Sequence, residues 1–576
     1  MPTPMQSPAA DGSAALPSLT LGTRTTRQRP AQNWILNPLQ DSLFVIGTPL
    51  LVLTAALVLF RSLGAAAATS LIIVAHIIFT VAHHLPTFIR IYGDTELFQR
   101  YRWHFLMAPV IPLTFSALVL GYLNHRDYAV ENFLYLYIML ALWDPWHFMR
   151  QHYGFVRIYD RHNVAPRALA ARMDLWLCAI WFGYIMLASS AWLADLLSDF
   201  EYNVGLPFVR YLPVDAVATV IQVAGVAAVL TTFAYAAYLL WCRINGYYIS
   251  VAKLALLATT FGVMYLAYVP NAWMQATVPG WSFKVGFAIV GLVHMTQYLA
   301  IVWRYNRNLA TRPGAARAGW FQHLHRRGGW LIGAGYVIVC LAYGELVTTE
   351  RAGRWIMSVL LAIGFTSTLL HYYFDGFIWK LRQQRNREHL SLDESPRMTE
   401  APTTRPEASA RSMLLRQTAY FGVPMLILSV GAFSILESPT VRSVDRMYQA
   451  QALSDAGRLD EALREARLAL TSMNDEAVIA HKLAQLDPSA ARQAELAFLI
   501  YNRSFYGHVV LPAASGRGIT SADREAHRRD AGVAAALLEH ALAQHTSLAH
   551  PGRLHFDRPD AERTLAAWQR TAAPIS

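Results

Sequence analysis

Charge is scarce in this chain. Asp, Glu, Lys and Arg make up 15% of its 576 residues, against 54% hydrophobic residues, and the mean hydropathy is positive. That balance excludes the three or four soluble domains that length alone would suggest. Cysteine is sparse too. Cys178, Cys242 and Cys340 all lie in apolar segments without Cys-x-x-Cys spacing, which excludes a disulfide scaffold and a thiolate metal site. Residues 1–41 are polar, rich in Pro, Thr and Ser, and lack a short apolar stretch ending in a small-residue cleavage site. No cleaved signal peptide is therefore expected. The formal net charge is +11, but the basic residues gather between apolar runs. Membrane topology accounts for them there, and no nucleic-acid partner is expected.

Long apolar runs are what the chain does have, such as "LFVIGTPLLVLTAALVLF" (Leu43–Phe60) and "VATVIQVAGVAAVLTTFAYAAYLLW" (Val217–Trp241). Runs of about 20 apolar residues match a bilayer core. The expected fold is all-α and polytopic, with about eleven spans near 43–61, 64–84, 103–122, 131–149, 173–197, 216–241, 250–269, 283–303, 329–347, 355–376 and 417–436. One set of alternate loops carries Arg90, Arg100, Arg102, Arg150, Arg157, Arg161, Arg243, Arg304, Arg307 and Arg312. It continues through Lys380 to Arg416, while the other set offers Arg61, Arg126, Arg210, Arg351 and Arg354. The asymmetry predicts a cytoplasmic N-terminus in a bacterial inner membrane.

The domain reading follows from these spans. Residues 1–41 form a disordered cytoplasmic N-terminus, 42–382 a ten-span membrane domain, and 383–416 a polar cytoplasmic linker. Residues 417–436 are the last span, and 437–576 form a small helical domain outside. Within it, Leu453–Leu486 resembles a tetratricopeptide repeat, with Gly457 at a turn, Ala462 and Ala469 at packing positions, and Asn474-Asp475 at the next turn. Such a domain is expected to take a protein partner.

Two phrases repeat: "HHLPTFIRIYGD" (His83–Asp94) and "QHYGFVRIYD" (Gln151–Asp160). Their shared Arg-Ile-Tyr reads as an interface anchor and basic stop where spans re-enter the cytoplasm. Histidines are the informative letters. His83 and His84 end the second span, and His147 and His152 straddle the end of the fourth. His294 lies in the last third of the eighth and His371 in the last turns of the tenth. The sixth span ends "YLLWCRINGYY" (Tyr238–Tyr248), with the aromatic belt and Arg243 but no histidine. Polar residues inside spans are costly and mark function, so the six histidines are read as one metal centre at the cytoplasmic leaflet.

Neutral imidazoles with a carboxylate and no thiolate suit iron, copper or zinc, and non-haem iron suits oxygen chemistry. One or two irons are expected. Asp375 stands four residues after His371, Gln151 four after His147, and Gln297 and Tyr298 three and four after His294, each on its histidine's helix face. Asp375, Asp144 and Tyr298 are the candidate catalytic groups. His76, Gln151 and Gln297 are candidate supporting groups or extra ligands. Arg90, Arg157, Arg304 and Lys380 are candidate contacts to a headgroup or the interface. The expected substrate is apolar and membrane-soluble, with a cytoplasmic electron donor docking on the basic loops.

His147–His152, two histidines with four residues between them, and the doublet His83-His84 resemble the boxes of the membrane histidine-box oxygenases. That group includes alkane hydroxylases and fatty-acid desaturases. The single helix-end histidines also resemble the bacterial membrane β-carotene-cleaving dioxygenases. Either resemblance implies a non-haem iron oxygenase acting by hydroxylation, desaturation or oxidative cleavage. The chain departs from the box pattern, because six residues stand between His76 and the doublet and there is no second doublet. Other readings are a histidine-dependent transporter, a bis-histidine haem protein for electron transfer, and a multi-span glycosyltransferase. The first external loop has no carboxylate for the last of these.

Overall fold

A computed structural model describes residues 32–126, 135–203, 207–278, 281–311, 330–348, 353–378, 410–437, 442–544 and 558–573. Every regular element among the described residues is helical. Seven helices are long and apolar enough to cross a bilayer: Ala65–Gly93, Arg102–His125, Arg167–Ala188, Val214–Ile244, Val251–Tyr268, Phe283–Thr311 and Trp355–Phe377. Pro38–Ile46 and Thr48–Leu63 are bent by 56° and make an eighth if they form one span. The chain is thus a polytopic helical membrane protein with a C-terminal helical extension. Helices Tyr135–Tyr159, Trp330–Thr348 and Ala410–Glu437 run through the other three expected stretches. Each of those stretches includes positions or side chains outside the described residues.

Seven helices position the site. They are α1 (Ala65–Ala82), α2 (His84–Gly93), α3 (Tyr135–Tyr159), α4 (Arg167–Ala188), α5 (Val251–Tyr268), α6 (Phe283–Thr311) and α7 (Arg354–Ile378). Among the candidate spans α6 is the most enclosed, and Val214–Ile244 lies almost wholly at the periphery. An all-round apolar helix is stable at the periphery only because lipid replaces water there. The chain breaks for one residue, His83, between α1 and α2. Pro86 explains the break, since its ring clashes with the carbonyl four residues back and cannot donate into the ladder. Pro145 lies inside the continuous helix α3.

The C-terminal region begins with a hairpin of α8 (Ser443–Asp455) and α9 (Leu459–Leu486). Gly457 turns the chain between them with φ of 75°. The second expected turn, at Asn474-Asp475, does not form, because α9 runs straight through it. Packing overrides the local turn preference. Ala462, Ala466, Ala469, Met473, Ala477, Ala480 and Leu483 make one unbroken buried stripe at three- and four-residue spacing.

This region docks on the membrane domain. Ile479 and Leu483 pack with Ala194 and Val209. Arg492 donates to Asp195 at 2.8 Å and Arg210 to Asp475 at 3.1 Å. Lys482 Nζ reaches the carbonyl oxygens of Arg210 and Leu212 at 2.5 and 3.1 Å.

Candidate metal centre

Five of the six expected histidines converge. His83, His84 and His371 form one group able to hold a metal ion, and His147, His294 and His371 a second, the ligand atoms of each lying within 4.8 Å of one another. His371 belongs to both. None of the five exceeds 8% exposure, and His371 is fully buried. The break at His83 sets the doublet rings 4.5 Å apart. The His371 ring lies 4.6 Å from His83, 4.7 Å from His84 and 5.1 Å from His147, and His147 lies 4.9 Å from His294.

Hydrogen bonds fix which nitrogen faces the middle. His83 Nδ1 stands 3.3 Å from the Phe79 carbonyl oxygen, which can only accept, so Nδ1 carries the proton and Nε2 the lone pair. His371 Nδ1 stands 3.0 Å from Thr87 Oγ1. Thr87 is hydrogen-bonded to the Tyr298 hydroxyl, which donates to Asp375 Oδ1 at 3.1 Å. With its one proton given to Asp375, Tyr298 accepts from Thr87. Thr87, its own proton spent, accepts from His371 Nδ1–H. His371 Nε2 is therefore also a bare lone pair, and it faces His83 Nε2 at 3.2 Å.

Two lone pairs at that distance repel unless a positive charge, an added proton or a metal ion, sits between them. Two imidazoles bound to one ion at about 2.1 Å, roughly 100° apart, would place their nitrogens at this separation. The surroundings fit a metal. Asp375 Oδ2 lies 3.8 Å from both His147 Nε2 and His371 Nε2. Among the described residues, neither ring nitrogen of His294 has a hydrogen-bond partner, and His147 Nε2 has none. Buried polar atoms are rarely left so. A porphyrin does not fit between rings already in contact, which argues against the bis-histidine haem reading.

The other expected residues lie elsewhere. His152 is turned away from the cluster, its ring 5.9 Å from Phe182 on α4 and 5.3 Å from Phe261 on α5. Five residues along a helix point about 140° away from the start, so His147 and His152 cannot share one site. The His76 ring packs 5.4 Å from Phe287 and lies over Gly291, where a Cβ would stand 2.3 Å from its Nε2. It joins neither group. Asp144 joins neither. Gln151 donates to the His294 carbonyl at 3.1 Å and Gln297 to the Val45 carbonyl at 2.7 Å, so both tie helices together and hold no imidazole.

Two of the four basic residues are internal as well. Arg157 pairs with Asp160 at 3.0 Å and with Asp174. Lys253 reaches the same two carboxylates at 2.7 and 3.3 Å. Arg90 is buried with its guanidinium 3.5 Å over the Tyr305 ring. Arg304 is half-buried, and Lys380 lies outside the described residues. In place of interface anchors, Arg90 and Arg157 are locks between helices.

Sequence reasoning missed Thr87 and Ser367. Ser367 Oγ stands 3.1 Å from His84 Nδ1 and accepts from the Tyr343 hydroxyl at 3.0 Å. Both are signalled by spacing, Thr87 four residues after His83 and Ser367 four before His371. The pairing is crosswise, however: Thr87 serves His371 and Ser367 serves His84.

No protein-family model matches the chain, and no curated protein or solved structure matches it. The two buried histidine groups among membrane helices are consistent with a metal-dependent membrane enzyme of the histidine-box kind.

Proposed function

We propose that this chain is a non-haem iron oxygenase of the membrane, acting on a lipid or other apolar substrate at the cytoplasmic leaflet. The facing lone pairs of His83 and His371, 3.2 Å apart where the two histidine groups meet, carry this reading. Imidazole donors with one carboxylate and no thiolate suit iron. His83, His84, His147, His294 and His371 would hold one or two ions, with Asp375 Oδ2 as the carboxylate donor. Bound iron would supply activation of dioxygen for hydroxylation, desaturation or oxidative cleavage. The buried rings exclude water, and the surrounding apolar helices favour a substrate that arrives through the bilayer. A cytoplasmic electron donor would dock on the basic loops, and the C-terminal helices would take a protein partner.

The topology that goes with this is eleven spans, a cytoplasmic N-terminus, and a C-terminal domain outside. Two observations support it. Tyr298, four residues beyond His294, donates to Asp375, four beyond His371, so α6 and α7 run the same way and a crossing between them is needed. Trp330–Thr348 would supply it. The docking of Arg492 on Asp195 and of Lys482 on Arg210 supports a common side for Asp195, Arg210 and the C-terminal region. An even number of crossings between them would go with this, and Ala410–Glu437 would then be a span too.

Metal analysis of detergent-purified protein tests the proposal. Wild type made under iron-replete, reducing conditions is expected to carry stoichiometric metal, His147→Ala less, and His371→Ala, which removes the shared ligand, none. A wild type without metal refutes the function. Full metal in both variants refutes the ligand assignment.

A further inference from the structure

We infer that Thr87 is a positioning residue that locks His371 in the metal-binding tautomer, and that Tyr298 and Asp375 set the direction of the lock. The inference rests on the metal centre proposed above. His371 is shared by both histidine groups, so its tautomer decides whether either is complete. Left alone, an imidazole chooses freely between its two nitrogens. Here the choice is made three hydrogen bonds away. Asp375 Oδ1 can only accept, so Tyr298 must donate to it. Tyr298 then accepts from Thr87, and Thr87 accepts from Nδ1–H of His371. The polarity runs one way along the chain, and the His371 Nε2 lone pair is its outcome.

Thr87 is the link that could fail in either direction, because a hydroxyl both donates and accepts. It is wholly buried, with no water-exposed alternative for its proton. Asp375 therefore has two faces: Oδ1 works at a distance through Tyr298, while Oδ2 lies 3.8 Å from His147 and His371. Tyr298 is thereby a positioning residue as well, its proton and a lone pair both committed.

The test is cobalt(II) titration of metal-stripped, detergent-purified full-length protein, followed by the visible absorption of the bound ion. Thr87→Val keeps the shape and removes the hydroxyl, and is expected to weaken binding by about 10–100-fold. Thr87→Ser restores the hydroxyl and is expected to bind within a few-fold of wild type. Tyr298→Phe breaks the same relay one link further on and is expected to weaken binding too. The Thr87→Val/Tyr298→Phe double variant should be no weaker than Thr87→Val alone, since one relay can be broken only once. A general loosening of the fold would not give rescue by serine or that non-additivity. Wild-type binding by Thr87→Val, failure of serine to rescue, or additive losses in the double variant would each overturn the inference and leave the metal centre standing. If wild type itself binds no cobalt, the metal reading fails and this inference with it.

Discussion

Replacing Gly286 by alanine tests whether the spacing of α5 and α6 sets the site. A Cβ at Gly286 would stand 2.1 Å from the Ala267 carbonyl oxygen and 2.8 Å from its carbon, where ordinary contact begins at 3.4 Å. That oxygen cannot swing away, being backbone, and it also accepts from the Trp281 indole at 3.1 Å. The helices must therefore part by about 1 Å, and overpacking of this kind costs roughly 1–3 kcal/mol or more. The better helix propensity of alanine offsets up to about 1 kcal/mol of that. A net loss of about 1–2 kcal/mol is expected. His294 lies about 12 Å further along the same helix, so the displacement reaches the second histidine group. The assay is thermal unfolding in detergent with metal analysis beside it. Gly262→Ala on α5 is the control, because nothing lies within 4 Å of a Cβ there; it should match or exceed wild-type stability. A Gly286→Ala protein as stable as wild type, with unchanged metal, would refute the close-approach argument.

His152→Phe should leave metal content unchanged, since its ring sits between Phe182 and Phe261, whereas His294→Ala should lower it. Equal losses in the two variants would put His152 back among the ligands. In the C-terminal region, Thr520 Oγ1 and N–H, His508 and Arg517 hold the Asp523 carboxyl well below its ordinary value of 3.8. A depressed folded-state pKa gives stability that is present above the ordinary value and lost as pH falls through the depressed one. Asp523→Asn should therefore melt below wild type at neutral pH, with the gap closing in acid, and a gap independent of pH would count against this.

The membrane class and most of the spans were legible because a bilayer demands long apolar runs, and such runs are visible in one dimension. The histidines were legible for a related reason. An imidazole inside an apolar run is costly, and Tyr238–Tyr248 served as an internal control. Spacing along one helix failed where contacts cross between helices. The rule of four correctly put Asp375 beside His371, yet it paired Gln151 with His147, and Gln151 bonds the His294 carbonyl. Applied to Thr87 it points to His83, four residues earlier, whereas Thr87 pairs with His371, 284 residues away in sequence. His152 was misplaced for a simpler reason: nearness in sequence was taken over direction around the helix.

The repeated phrase has a physical explanation beyond topology. A lysine or arginine at a membrane face is free to snorkel toward water, but Arg90 is buried over Tyr305, and Arg157 is held by Asp160 and Asp174. Tyr92 donates to the Phe105 carbonyl at 3.0 Å, and Tyr159 to Asp41 at 2.8 Å. Asp94 caps the next helix at Leu97 N–H, and Asp160 closes on Lys253. Each copy thus spends its Arg, Tyr and Asp on neighbouring helices. The first copy ties the helix after His83 and His84 to α6, which carries His294. The second ties the helix of His147 to α4 and α5. A centre built from single histidines on separate helices needs such ties, because small relative shifts of those helices would separate its ligands. In the proposed centre the histidines would supply the donor atoms, and the repeated phrase would hold them in register.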